Sequence, residues 1–142
     1  MTVVETVVVD ASLGVKWVVP EAGSAEARAL RDRWRDERVR VLAPDLVLVE
    51  VANALWKKVE RGLIPPESPV MRRPPEAWLS LELVRTGDLL ADALGVAVSH
   101  HLTVYDAVYV ALARRLRAPL YTADEALRRR VPHTLATVRG LA

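Results

Sequence analysis

Four carboxylates stand where predicted strands end or predicted helices begin along this chain of 142 residues. Asp10 follows the apolar run "TVVV", and Asp124 follows "LYTA". Glu50 lies early in a long helical pattern, and Asp106 lies in the first turn of another, "LTVYDAVYVALARRL". In an open parallel sheet, ligands bind beyond the carboxyl ends of the strands. We therefore expect these four side chains to reach one rim of the molecule.

The charge and the donor atoms of such a group decide which chemistry it can support. Several carboxylates close together repel one another, so they require a cation or shared protons. The chain has no cysteine and three histidines, which leaves oxygen as the main type of donor. Hard oxygen ligands favour Mg²⁺ or Mn²⁺ over Zn²⁺. The residues alone therefore predict a magnesium or manganese site.

Each aspartate also has a purely structural interpretation. Asp106 fits the third position of a helix capped by Thr103, a variant of the capping box that also suits the helix dipole. Asp10 precedes a helical pattern, and its role could be merely to cap that helix. Asp124 could help to cap the helix that follows Thr122, with Glu125 as its box partner. For any one of these aspartates, helix capping explains the sequence as well as metal binding does. Only the joint occurrence of the acids at the ends of several elements favours a metal site.

Glu50 shares a predicted helix face with two polar residues, Asn53 and Lys57. Such a face is typical of an ordinary solvated surface. If the acids do meet at one rim, Lys57 could hold the backbone of an anionic substrate, with Asn53 beside it. The arginines of the run 128–130 are interpreted as solvated charges.

The alternation of short apolar runs with helical patterns predicts an α/β domain with a parallel sheet. The predicted strands cover residues 6–9, 39–44, 79–84, 118–122 and 133–138. The predicted helices cover residues 11–19, 24–38, 46–61, 87–101, 102–116 and 124–131. Five of the nine prolines fall within 65–75, which predicts a loop there.

Several finer expectations follow from the same patterns. Asp45 is predicted to cap the third helix, and Ser24 is predicted to be a weak cap of the second. A buried stripe is expected along the fifth helix, at positions that recur with helical spacing. The stripe consists of Tyr105, Tyr109, Leu112 and Leu116.

Composition restricts the class of protein further. Hydrophobic residues make up 51% and charged residues 27%, which indicates one globular domain across 1–142. The lack of cysteine excludes disulfides and fits a reducing cytoplasm. Glu5 stands where a signal peptide would be basic, and no apolar run approaches the ~20 residues of a membrane span. A net charge of +2 and a pI of about 9.3 weakly favour an anionic partner.

Four segments, "VVVDAS", "LVEVANAL", "LTVYDAVYVALA" and "LYTADEAL", occur in this order and at family-like intervals. Together they resemble the PIN-domain ribonucleases, and most of all the VapC-like toxins of toxin–antitoxin pairs. The resemblance extends from residue 7 to about residue 138. It implies a single PIN domain with a five-stranded parallel sheet in the order 3-2-1-4-5, flanked by helices.

The resemblance also implies an activity: endonucleolytic cleavage of RNA at an acidic Mg²⁺ or Mn²⁺ site, leaving 5′-phosphate and 3′-hydroxyl ends. It further implies a homodimer and a cognate antitoxin protein as partners. Ser12 matches a small polar position beside the first acid, and Thr122 matches a hydroxyl before the fourth. The family's four acids are matched by Asp10, Glu50, Asp106 and Asp124.

Two other classes of function compete with this one. A receiver-type phosphoacceptor domain also places acids at strand ends, but it expects an acidic pair after the first strand and a lysine after the last. Here Asp10 stands alone, and the last predicted strand is followed by Arg139. A catalytically inactive PIN-like binding module is the other alternative, and the presence of all four acids argues against it.

Overall fold

A five-stranded parallel sheet organises the computed structural model, which describes residues 4–141. The strands are β1 (Thr6–Val9), β2 (Arg40–Pro44), β3 (Glu82–Val84), β4 (Leu120–Tyr121) and β5 (Val138–Arg139). They lie in the order β3-β2-β1-β4-β5, and each neighbouring pair is parallel. The predicted fold class and strand order are therefore confirmed.

Within residues 4–141, six α-helices accompany the strands. They are α1 (Ala11–Val18), α2 (Ser24–Asp36), α3 (Leu46–Glu60), α4 (Leu90–His100), α5 (Val104–Leu116) and α6 (Glu125–Arg130). The proline-rich segment 65–75 holds only short 3₁₀ turns, as predicted. No single helix in the described part of the chain is long and apolar enough to cross a membrane. The segments Thr86–His100 and Val104–Leu116 pass that test only together, as a pair bent by 112°.

The central strand β1 is buried on both faces. Val7, Val8 and Val9 are fully shielded from solvent, and β2 and β4 flank the strand on either side. A parallel strand covered on both faces carries a continuous apolar run rather than an alternating one. The run ends at Asp10, so the first polar side chain after β1 lies at the carboxyl edge of the sheet.

Helix α5 packs against the sheet through its middle turns, and the predicted stripe along it is only half right. Tyr109 and Leu112 are buried, whereas Tyr105 is 64% exposed and Leu116 is 38% exposed. The reason is length: thirteen helical residues span about 20 Å, and the four residues of β1 span about 13 Å. The first and last turns of α5 therefore extend beyond the strand that covers its middle.

Asp45 does not cap α3 in the predicted way, because its carboxylate makes no hydrogen bond to the helix. The amide of Leu46 instead donates to the hydroxyl of Thr86, at 2.9 Å. That hydroxyl donates in turn to Asp45 Oδ1 at 2.6 Å, and the Thr86 amide donates to the same oxygen at 3.0 Å. These two bonds hold the pKa of Asp45 below its usual value. The start of α3 is thus capped through Thr86, which lies just after β3 in the chain.

The prediction that Ser24 caps α2 is also wrong. Gly23 occupies the cap position, with a φ of 85° that favours glycine. The Ser24 hydroxyl accepts from the amide of Glu21 at 2.9 Å and donates to the carbonyl of Val19 at 3.2 Å. It therefore fixes the turn before the helix.

The two edge strands and β4 are shorter than their patterns predict, and of the segment 118–122 only Leu120–Tyr121 form β4. Of the segment 79–84, only the part from Glu82 onwards pairs with β2. Of the segment 133–138, residues 133–135 form a turn, in which the amide of Leu135 donates to the carbonyl of Pro132 at 2.8 Å, and only Val138 belongs to β5. β3 and β5 lie at edges of the sheet, where short strands are common.

The cap through Thr86 predicts a specific loss of stability. We expect Thr86→Val to lower the free energy of unfolding by about 1–2 kcal/mol, because the Leu46 amide loses its acceptor and Asp45 loses a donor. Thr86→Ser should recover most of that loss. Urea unfolding measures both, with Thr134→Val, at an exposed threonine, as control. Equal effects of Thr86→Val and the control would contradict the cap through Thr86.

Candidate active site

The carboxylate of Asp10 is buried at the carboxyl end of β1, with 6% of the residue exposed. Its Oδ1 accepts from the amide of Leu13 at 3.2 Å and from the hydroxyl of Ser12 at 2.7 Å. Its Oδ2 accepts from the hydroxyl of Thr122. Asp10 is therefore the N-cap of α1, and its carboxylate is also tied to the segment after β4.

The two hydroxyls that hold Asp10 also hold the start of the β4–α6 turn. Ser12 Oγ accepts from the amide of Ala123 at 2.9 Å, and Thr122 Oγ1 accepts from the amide of Asp124 at 3.0 Å. The two hydroxyl oxygens are 3.1 Å apart, but each donates its single proton to Asp10. The predicted supporting positions of Ser12 and Thr122 thus join two strand ends into one network.

Asp124 is the N-cap of α6, so the predicted capping role of this residue is confirmed. Its Oδ1 accepts from the amides of Ala126 and Leu127, at 2.9 and 3.2 Å. Glu125 forms no capping box and instead lies 3.5 Å from the guanidinium of Arg128. Oδ2 of Asp124 accepts no hydrogen bond from residues 4–141, so one oxygen of this carboxylate is available for a ligand.

Asp106 occupies the first turn of α5, and the predicted cap is present there. The amide of Asp106 donates to the hydroxyl of Thr103 at 3.1 Å. The carboxylate itself is only 27% exposed, and its Oδ2 lies 3.5 Å from Nη2 of Arg130. The run of three arginines at 128–130 predicts only solvated charges, and nothing in that run distinguishes Arg130 from its neighbours. The fold brings it to the acids.

Glu50 reaches the same region from α3. Its Oε1 accepts from the phenol of Tyr109 at 2.6 Å, and the residue is half-buried rather than fully solvated. Tyr109 was predicted only as part of a buried stripe, and its bond to an acid was missed. A signal does exist, because Tyr109 follows Asp106 by three residues, which places both on one helix face.

Burial controls the charge state of Asp10. It raises the pKa of this carboxyl to about 6, although the bonds from Ser12, Thr122 and Leu13 act in the opposite direction. The negative charge of Asp124 raises the pKa further. The desolvation of the carboxylate therefore outweighs its hydrogen bonds in the absence of a cation.

The other acids are coupled to the same cluster. Burial raises the pKa of Asp106; the Arg130 guanidinium opposes this rise and the charge of Asp124 adds to it. Burial also raises the pKa of Glu50, against the bond from Tyr109, and the charge of Asp106 adds to that rise. The four predicted acids thus interact in series, Asp10 with Asp124, Asp124 with Asp106, and Asp106 with Glu50.

The cluster fits a hard divalent cation in its chemistry but does not form a ready ligand shell. Oδ2 of Asp124 and Oε2 of Glu50 accept no hydrogen bond from residues 4–141, and Oδ2 of Asp10 accepts one. Such carboxylate oxygens are the donors that Mg²⁺ and Mn²⁺ prefer. As the side chains stand in the described part of the chain, however, no three Asp, Glu or His residues form a group that could hold a metal ion.

A groove of about 530 Å³ opens beside the acids. Ser12 and Glu50 line it on the side of the acid cluster, and Asn53 and Lys57 line it further along α3. The exposed ring of Tyr105 also lines the groove. The two predicted substrate-binding residues therefore share one concave surface with a predicted catalytic acid.

Comparison with known proteins identifies the family. A family model described as "PIN domain" matches residues 7–131, and those residues include all four acids and both hydroxyls. The chain therefore belongs to the PIN-domain family. The receiver-type alternative is excluded, since receiver domains have the strand order 2-1-3-4-5.

Two relatives come from Pyrobaculum aerophilum. The chain is 36% identical to Ribonuclease VapC3 over 127 residues. This match covers 88% of this chain and 94% of the relative. The chain is 30% identical over 113 residues to Exonuclease VapC9, covering 80% and 84% of the two chains. The name of the second relative is that of an exonuclease, whereas the resemblance of the sequence segments implies an endonuclease.

Solved structures with the same fold include PAE2754 from Pyrobaculum aerophilum. It has a TM-score of 0.70 and 27% sequence identity, and the match covers 97% of this chain and 84% of that one. VapBC2 from Rickettsia felis, bound to a DNA fragment from its promoter, has a TM-score of 0.65 over 95% of this chain and 98% of that one. At 12% identity, the second likeness supports the fold alone.

The raised pKa of Asp10 predicts how stability depends on pH without metal. The native state binds more protons than the unfolded state between the unfolded pKa near 3.8 and the folded pKa of about 6, so stability falls as pH rises through that window. In EDTA, we expect wild type to lose up to about 3 kcal/mol relative to Asp10→Asn between about pH 4 and about pH 7. Urea unfolding at each pH measures the difference. Parallel curves for the two proteins would show that burial does not penalise the ionised carboxylate.

Proposed function

We propose that this protein is a Mg²⁺- or Mn²⁺-dependent endoribonuclease and the toxin of a toxin–antitoxin pair. The observation that carries the proposal is the electrostatic cluster of four acids at one rim, beside a groove with an amide and an ammonium group. The name of the ribonuclease relative, at 36% identity over most of both chains, supports the choice of RNA.

The metal would be held mainly by Asp10, Glu50 and Asp106, with Asp124 acting directly or through water. When bound, the ion would supply activation of water and neutralisation of charge on the scissile phosphate. Ser12 and Thr122 fix the carboxylate of Asp10 through their hydroxyl protons. The four acids come from four separate segments, so the fold rather than any one helix sets their relative positions.

Hydrolysis would proceed by in-line attack of water on phosphorus. The bond from phosphorus to the 3′ oxygen breaks, the water oxygen stays on the phosphate, and the departing 3′ oxygen takes up a proton. The products are a 5′-phosphate and a 3′-hydroxyl. Lys57 would pair with a backbone phosphate in the groove, and Asn53 would orient the chain beside it.

Two protein partners belong to the proposal. The side chains of Leu90, Leu94 and Val98 are exposed at four-residue spacing on α4, which supports a homodimer that covers them. A cognate antitoxin is supported by the toxin–antitoxin complexes that share this fold, one of them from Klebsiella pneumoniae with a TM-score of 0.61 over 96% of this chain and 98% of that one, at 13% identity. An antitoxin that inserted an arginine among the acids would neutralise them.

A catalytically inactive PIN-like module is the competing candidate. One observation favours it: Arg130 already neutralises part of the charge on Asp106, and the described acids do not converge on a metal position. The pair is long, at 3.5 Å, and the Arg130 side chain is half-exposed, so the contact contributes little free energy and a divalent cation can displace it. The hydrogen-bonded burial of Asp10 is also costly for a module that uses no acid.

A circular single-stranded RNA provides the direct test, because it offers no end to an exonuclease. We expect wild type to cut it in Mg²⁺ or Mn²⁺ and to leave it intact in EDTA. Asp106→Asn and Glu50→Gln should each lower the rate at least about a hundredfold, since each removes charge from the ligand set. Denaturing gel electrophoresis of the products measures the rates.

Asp92→Asn is the matched control, because Asp92 is an exposed acid on α4 that pairs with Arg115. It should cleave at the rate of wild type. Mg²⁺ should also raise the Tm of wild type and of the control, but raise that of Asp106→Asn much less. Full cleavage in EDTA would overturn the metal mechanism, and cleavage of linear RNA alone would indicate an exonuclease. A rise in Tm without any cleavage would favour the inactive module.

A further inference from the structure

Tyr105 is the one member of the predicted apolar stripe that combines a large ring, high exposure and a position beside the acids. It is 64% exposed, and it directly precedes Asp106 in the first turn of α5. Tyr109, one helical turn later, is buried and gives its phenol proton to Glu50. The phenol of Tyr105 makes no hydrogen bond within residues 4–141. Core packing therefore accounts for the second tyrosine but not for the first.

The surroundings of Tyr105 favour a ligand. A single exposed aromatic side chain is ordinary and needs no explanation. This ring, however, lines the groove that also contains Glu50, Asn53 and Lys57, together with the exposed side chain of Val49. One concave surface thus combines an aromatic face, an amide, a cation and a site acid.

We propose that the ring of Tyr105 stacks on a base of single-stranded RNA next to the phosphate held at the acids; this inference rests on the proposed function. Every nucleobase has a flat π face, and an exposed aromatic side chain binds it without reading its sequence. Lys57 would contact the backbone in the same groove, and the Asn53 amide can both donate to and accept from a base edge.

The stacking restricts the class of substrate. A base within a duplex is already stacked on its neighbours and cannot meet the ring without being flipped out. The enzyme should therefore prefer single-stranded segments and loops over paired RNA. A protein segment in the groove is the other occupant that an exposed tyrosine would suit, but it would leave the juxtaposition of Lys57 with the acids unexplained.

The test compares two probes and three variants. The probes are an oligouridylate of about eight nucleotides and a ribose-phosphate chain of the same length without bases. Their dissociation constants are measured by fluorescence anisotropy in Ca²⁺, a hard cation with looser geometry than Mg²⁺. The variants are Tyr105→Ala, Tyr105→Phe and the control Leu63→Ala, where the leucine is equally exposed, at 64%, but lies outside the groove.

We expect Tyr105→Ala to bind the oligouridylate about tenfold more weakly than wild type does. The same variant should bind the chain without bases nearly as tightly as wild type. Tyr105→Phe should restore the preference for the probe with bases, because the ring is kept. Leu63→Ala should match wild type on both probes. Melting curves check that each variant is folded. We expect little change in Tm, because the side chains of Tyr105 and Leu63 are both exposed.

Three results would overturn the inference. Unchanged affinity of Tyr105→Ala would assign the ring to a protein contact, and equal losses on both probes would indicate a backbone contact. A wild-type protein that does not distinguish the probes would exclude stacking altogether. By contrast, a wild type that binds the oligouridylate through Tyr105 but never cleaves RNA in Mg²⁺ would overturn the proposed nuclease and leave the stacking intact.

Discussion

The burial of the Asp10 carboxylate is the interaction on which the rest of the site depends. β1 is covered on both faces, and Asp10 directly follows its last residue. The carboxylate of Asp10 therefore lies beside an apolar strand and has little access to water. Desolvation raises the pKa of the carboxyl, and only the hydroxyls of Ser12 and Thr122 and the amide of Leu13 oppose that rise. The same hydroxyls fix the turn that presents Asp124. Replacing Asp10 would therefore remove one charge from the acid cluster and also weaken the hydrogen bonds that position Asp124.

Helix capping and site chemistry are served here by the same side chains. Asp10 and Asp124 each cap a helix through Oδ1, and each has capacity left on Oδ2. Asp106 lies in a capped first turn, where the helix dipole favours its negative charge. A cap holds a carboxylate in a fixed orientation at low cost. The structural and the functional interpretations of these residues are thus complementary, which is why neither could be chosen from one segment alone.

Much of this arrangement was predictable from the sequence, and the failures have physical causes. The continuous apolar run of β1 and the acids at element ends indicate the sheet and its rim, whereas the strand order follows only from the family resemblance, and the structure confirms it. Periodicity could not show that α5 extends beyond the sheet, so Tyr105 was assigned to the core. Contacts between distant segments, such as Arg130 with Asp106 or Thr86 with Asp45, depend on tertiary packing and leave no local signal.

We propose that these four acids hold a divalent cation, and diffraction from a crystal grown with Mn²⁺ would show the position of that ion. Anomalous scattering at the manganese absorption edge locates the ion independently of any assumed ligand. We expect a strong peak bounded by the carboxylates of Asp10, Glu50 and Asp106, with Arg130 displaced from its contact with Asp106. A fully occupied manganese peak elsewhere, with no density beside Asp10 and the ion pair intact, would contradict it.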